Sequence, residues 1–481
     1  MKRSTAVLSG LTWLVIAGLT LLLPQSGKAA ADGPYPVDTV KDRNMVTIPD
    51  GWRPRIRLIV ALVACLAAVS HAARPAAQSS AQDPFAPERM MADVRTYYEF
   101  GIHRTAYPGD QRTTQWLADR FRRLGLETSE QRWPLRQFFL DEASLEDGLG
   151  RIHAFPLWLP RATPASGLRA RLVLVDASTP AAAIKGAIAW LQPAEAGPPT
   201  RQALERRAID AGAAGVVFAT SDRADTGLFV AQNAERRYVD AERPVPTLTF
   251  GKADAERLRA SVGRELTLRL TGRMDETATA ANVLGRLVRR PDADWVVVST
   301  PSSGWFTCGG ERGPGVAILL ALAAWANAQP GHLNYLFVAN SGHELDFLGA
   351  RLLHDAHLAP PPEKTRAWLH LGASIATPPW EMVGGVLEPK ANVTTGTLQA
   401  SADLAPIMRR AFADLPVYTL RTDTQIGEFR DLAEQGYRGL GVVGGSDPWF
   451  HVERDDPSAV SASTLAAVSR AAARALAEVD R

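Results

Sequence analysis

The chain has 481 residues, 46% apolar and 22% charged, an ordinary globular composition with room for two or three domains. A formal net charge of +2, with no basic stripe interleaved with aromatics, offers no footing for a nucleic-acid or acidic partner. With only two cysteines, Cys65 and Cys308, a disulfide framework and a structural zinc site of clustered cysteines are both excluded.

The first 84 residues read as export signal segments and a linker. Lys2 and Arg3 precede an apolar run from Ala6 to Leu23 and the small residues Ala29–Ala31. The plan then repeats: Arg53, Arg55 and Arg57, the apolar run Leu58–Val69, and the small-x-small Ser70-His71-Ala72. Met45, just upstream of the second segment, is the expected start. A membrane hairpin is the alternative, although the second run is short of the ~20 residues a bilayer needs. Leu62-Val63-Ala64-Cys65 also resembles a lipoprotein box, which would anchor the chain through a lipidated Cys65; the apolar residues after it argue against that. Each reading exports the rest, to the periplasm or outside the cell, with envelope anchoring as the alternative. From Arg74 to Pro84 the chain is rich in Ala, Gln, Ser and Pro, as linkers are.

Apolar residues at helical spacing mark Met91–Gly101 and Gln111–Leu126, and Thr128–Leu140 reads as extended. Residues 85–140 form the first part of a larger domain. Between 141 and 275 short strands alternate with one helix, Thr200–Ala211, as in a small α/β unit. Lys185-Gly186, Asp210-Ala211-Gly212-Ala213-Ala214-Gly215-Val216-Val217 and Pro244-Val245-Pro246-Thr247 resemble a protease-associated domain. Such domains are insertions near active-site mouths.

Residues 276–481 alternate strands (282–288, 295–300, 334–340, 367–373, 439–444) with helices (315–328, 344–354, 405–415, 459–479). Runs such as Trp295-Val296-Val297-Val298 suit a sheet buried on both faces. Doubly wound sheets place their sites at strand carboxyl ends. There the chain reads Asn282-Val283-Leu284-Gly285, a Gly-rich loop opening the helix from Gly315, and Gly342-His343-Glu344-Leu345-Asp346-Phe347-Leu348-Gly349. Trp449-Phe450-His451 follows, with Asp455 and Asp456 downstream. In order and spacing, from about Asp93 to the C-terminus, this resembles the zinc aminopeptidase and carboxypeptidase family of leucyl aminopeptidase, glutamate carboxypeptidase and transferrin receptor type. The implied fold is α/β: a doubly wound mixed sheet flanked by helices, with an inserted smaller α/β protease-associated domain.

The resemblance implies two zinc ions, five side-chain ligands and a separate Glu base. Position by position, several of these are missing. Pro301 and Ser303 stand at the first His and Asp positions, and Gly372 stands where a later Asp is expected. The bridging Asp becomes Glu311, the base Glu becomes His343, and the ligands Glu344 and His451 are retained. Three ligands plus open water is the layout of one catalytic zinc, so the expectation is one ion at most, or none. His343 is a stand-in base, since imidazole titrates near ~6.5.

Each survivor also has an ordinary reading. Ser341 and Glu344 fit a capping box, Glu311 a solvated loop charge, and His451 a packed histidine. His370, two residues before Gly372, is a weaker substitute ligand, and Cys308 reads as a small loop residue. Trp305 and Phe306 imply that the cavity has been refilled or turned to ligand binding. Two functions compete: a catalytically impaired homologue binding a peptide or protein in its cleft, or a mononuclear zinc aminopeptidase using Glu311, Glu344 and His451.

Overall fold

Residues 83–481 are described by a computed structural model, apart from 149, 195–196, 198, 379, 391–395, 416–417 and 423–426. Both export segments, Met45, Cys65 and nearly all of the linker lie outside the described residues.

The strands are β1 (Glu127–Glu146), β2 (Arg151–Pro156), β3 (Leu168–Val175), β4 (Ile188–Leu191), β5 (Gly215–Thr220), β6 (Thr247–Gly251), β7 (Glu265–Leu287) and β8 (Trp295–Pro301). Then come β9 (Asn334–Asn340), β10 (Thr365–Leu371), the hairpin β11 (Trp380–Val383) and β12 (Val386–Pro389), β13 (Gly396–Ala400), β14 (Tyr418–Arg421) and β15 (Leu440–Gly445). The main sheet runs β7-β9-β8-β10-β15-β13-β14. Its centre, β9-β8-β10-β15, is parallel, whereas β7 and β13 join antiparallel. The chain passes from β8 to β9 on one side and returns across β8 to β10 on the other. The topological switch point therefore lies between β8 and β10.

Helices cover both faces of this sheet. The helices are α1 (Pro87–Glu99), α2 (Pro108–Arg123), α3 (Ala181–Ile184), α4 (Arg201–Asp210), α5 (Ala255–Arg259), α6 (Gly313–Ala328), α7 (Leu348–Asp355), α8 (Ala405–Ala411), α9 (Glu428–Glu434) and α10 (Ala462–Val479), of which α3, α4 and α5 pack on the strands of residues 141–275 instead. On one face α1, α2, α6, α8 and α10 build a continuous apolar cluster with Val296, Val298, Phe337 and Leu369. α6 is apolar all round because it is buried nearly all round. On the other face Leu353 of α7 and Leu432 of α9 pack on Val297, Leu336, Val338 and Trp368. α10 begins at Ser461, whose side chain accepts from Thr464 N at 3.3 Å, so its start lies three residues later than the sequence spacing predicts.

Residues 141–275 hold the strands of a closed ring. Pairings run β1–β2, β2–β6, β6–β5, β5–β4, β4–β3, β3–β7 and back from β7 to β1. Leu145, Ile152, Leu172, Trp190, Val217, Leu248, Phe250 and Leu268 form one buried cluster of these strands. β1 and β7 run unbroken from the ring into the main sheet, paired from Glu127–Arg286 to Glu146–Thr267 with two register shifts.

Candidate functional site

Four parallel strands end at the same edge. β8 leads into Ser302 and Ser303, β9 into Ser341–Glu344, β10 into Gly372, and β15 into Asp447–His451. The loop 302–312 runs beneath them to the N-terminus of α6.

Glu311 is fully buried, with Oε1 2.8 Å from Arg312 Nη2 and 3.4 Å from His451 Nε2. Burial pushes its pKa up, but Arg312 and His451 outweigh this and hold the carboxyl well below the usual range. Arg312, 1% exposed, donates from Nε to Ser303 O at 3.2 Å. It is thus a buried guanidinium pressed on the central carboxylate. His451 takes a left-handed backbone (φ 61°) and stacks on Phe450. Its Nδ1 lies 2.9 Å from Ala231 O. A carbonyl only accepts, so Nδ1 carries a proton and Nε2 faces Glu311.

Glu344 is placed differently. Its Oε1 accepts from Thr105 N at 2.7 Å and Thr105 Oγ1 at 2.6 Å, and its Oε2 accepts from Ser303 Oγ at 2.7 Å. Ser303 Oγ in turn accepts from Gly342 N at 2.8 Å. The capping-box reading is corrected here. Ser341 Oγ bonds Asp110, and the helix opens only at Leu348, after Asp346 and Phe347 in left-handed backbone. Glu344 therefore lies in a turn, tied to the loop after β8.

His343 Nδ1 lies 2.7 Å from Glu428 Oε1, and His370 Nε2 lies 3.5 Å from Glu428 Oε2. Burial raises the Glu428 pKa, yet His343 and His370 together hold it well below the usual range. Trp368 Nε1 donates to Ser299 Oγ at 2.8 Å, and Ser299 lies 3.0 Å from His370 Nδ1. The Ser299 hydroxyl, one donor and two acceptor lone pairs, thus links the indole to the imidazole whose Nε2 faces Glu428.

Asp455 clamps the loop, accepting from Gly310 N at 2.7 Å and Glu311 N at 3.0 Å. Burial pushes its carboxyl well above the ordinary range and raises the neighbouring Asp447 to about 7. Trp305 and Phe306 are buried in an apolar cluster with Phe155, Trp158 and Phe229, and Trp305 Nε1 donates to Asn233 Oδ1 at 3.0 Å.

Glu311 and His451 are thus brought together, and Glu344 sits apart with Ser303 and Thr105. Among the described residues, the one set of three donors within 4.8 Å of one another is Cys308, Glu311 and Asp455. Pro301 ends β8, and Gly372 N donates to Val443 O at 2.8 Å. Glu428, Thr105 and the Arg312 contact escaped the sequence reading. Gly427-Glu428 opens a short helix with no metal-type spacing, and Thr105 lies more than 200 residues from its carboxylate partner.

No protein-family model and no curated protein sequence matches the chain. Solved structures do. A zinc aminopeptidase from Bacillus subtilis is 18% identical, over 82% of this chain and 96% of its own, with a TM-score of 0.65. A peptidase M28 precursor from Shewanella amazonensis is 16% identical over 83% and 97%, at 0.62. An aminopeptidase from an Aneurinibacillus strain is 16% identical over 82% and 94%, at 0.59. At such identities the likeness speaks for the fold, and the chain has the zinc-exopeptidase fold: a large mixed sheet flanked by helices.

Proposed function

We propose that the chain is a zinc-aminopeptidase-like protein with a catalytically impaired site, whose cleft binds a peptide or protein partner without cleaving it. The observation that carries this reading is the Arg312 guanidinium, buried 2.8 Å from Glu311 Oε1. A fixed cation occupies the neighbourhood of the carboxylate aligned with the bridging ligand. Other features point the same way. Pro301 and Gly372 bring no side-chain donor, and Glu344 and Ser303 are bonded to each other. These residues do not fit a pair of zinc ions. A metal-bound water also needs a proton acceptor, and His343, at the base position, has Nδ1 turned to Glu428. Loss of a general base typically lowers the rate ~10²–10⁴-fold.

A second reading, a mononuclear zinc hydrolase, draws on His451. With Nδ1 on a carbonyl, its Nε2 is oriented as metal-ligating histidines are. Hydrolysis of aminoacyl-nitroanilides with added zinc separates the two. The expected result is no turnover above buffer from wild type or from His451→Ala. Zinc-dependent turnover that His451→Ala abolishes would overturn the impaired-enzyme reading.

A further inference from the structure

We propose that the outer edge of strand β11 is a docking strand for an extended peptide that carries a basic residue two positions from an apolar one. This deepens the proposed function and rests on its peptide-binding half. β11 and β12 form a sheet of two strands, and among the described residues neither pairs with any other strand. Gly384 and Gly385 both have positive φ (58° and 83°). That is the type I′ turn, which closes a two-residue hairpin on a hydrogen-bonded pair, here Val383 with Val386. Alternation along the antiparallel ladder then points the N–H and C=O of Met382 and Trp380 away from β12. β12 is the poorer template, because it ends in Pro389, which has no N–H. Open edges are usually blunted by lysine or proline, and β11, Trp380-Glu381-Met382-Val383, has neither.

The two faces of the hairpin differ. Trp380 and Leu387 pack beside Trp449 and Val452, which bracket His451 in the chain, so the hairpin stands at the strand-end site. The other face carries Glu381 opposite Glu388 and, two residues along, Val383 opposite Val386. The valines are 46% and 61% exposed. Like charges directly opposite each other are unfavourable. Lys390 Nζ comes within 3.6 Å of Glu381, whereas Glu388 forms no ion pair among the described residues. This face therefore joins a surplus of negative charge to a bare apolar row. A strand added along β11 sets alternate side chains on it, one beside Glu381 and the next beside Val383. A lysine or arginine answers the first position and a valine-sized side chain the second. Main-chain bonds supply the affinity, and the two rows supply the selectivity.

The probe is end-blocked, dye-labelled Thr-Lys-Thr-Val-Thr, read by fluorescence anisotropy against the full chain. It should bind, and Thr-Glu-Thr-Val-Thr should bind about fivefold more weakly. Glu381→Lys with Glu388→Lys should reverse that order. Of two lysine peptides N-methylated at alternate amides, one should lose binding and the other keep it, as strand addition requires. Failure of the lysine peptide to bind wild type, or equal binding of the lysine and glutamate peptides, overturns the proposal without any variant. Binding that survives both methylation patterns overturns it equally. Dimerisation of the chain that Met382→Pro abolishes would give the edge to a second copy and overturn it too. Hydrolysis is scored apart: turnover of the nitroanilides sinks the impaired-enzyme reading and leaves this edge standing, whereas a peptide that fails to bind sinks the edge alone.

Discussion

Arg312 and Glu311 are adjacent in sequence, and both side chains turn inward, which adjacency alone does not reveal. A buried pair contributes little over an apolar replacement of both partners, but removing one leaves a bare charge. Arg312→Met should therefore cost about 3–5 kcal/mol in urea unfolding, and Glu311→Gln with Arg312→Met should recover most of it. His103, stacked on Tyr97 at 3.7 Å between ring centroids, supplies a pH dependence. Burial lowers its pKa from 6.5 to about 3. The unfolded chain takes up a proton near 6.5 and the folded chain does not, so this contribution is full above that pH. It is lost as pH falls from 6.5 toward 3. The unfolding temperature should fall between about pH 7 and pH 4, and more shallowly in His103→Phe. At this scale the sequence showed which residue types stand at the site. It did not show that Ser303 ties down Glu344, because a hydroxyl at a ligand position reads only as a loss.

Elements with a strong period were legible: α2, α6 and α10 on one face of the sheet, and the parallel strands β8, β9 and β10. α9 and the hairpin β11–β12 were not, since one is seven residues long and the other is largely exposed. The turn after β9 shows how tertiary contact overrides local pattern. Ser341-x-x-Glu344 suits a helix cap, but Asp110 and Thr105 offer these side chains better partners, and the helix start moves to Leu348. Gly349 makes this turn feasible, because a Cβ there would lie 1.9 Å from Ser341 O. Gly349→Ala should push the helix off the turn and cost about 2–3 kcal/mol, seen as a lower urea midpoint with an unchanged slope.

At the scale of the whole described chain, the doubly wound sheet was legible from buried strands alternating with helices. The boundary read at residue 275 falls inside β7, a strand of 23 residues whose halves serve the ring and the main sheet. Its exposed, polar middle gave the impression of a break in the sequence. Ring closure was not readable either, since it depends on pairing residues more than a hundred positions apart, as in Glu146 with Thr267.

The loop that leaves β5 reaches the strand ends. Ala231 N donates to His451 O, Ala234 N donates to Glu344 O, and Asn233 receives the Trp305 indole. Both retained family-type side chains thus hang by their own main chain from a strap that the ring sends out. The strand-end site is consequently a joint product of distant stretches of polypeptide. A proteolytic nick in that strap should loosen the main chain of the histidine and of the glutamate together, although neither lies anywhere near the cut in sequence.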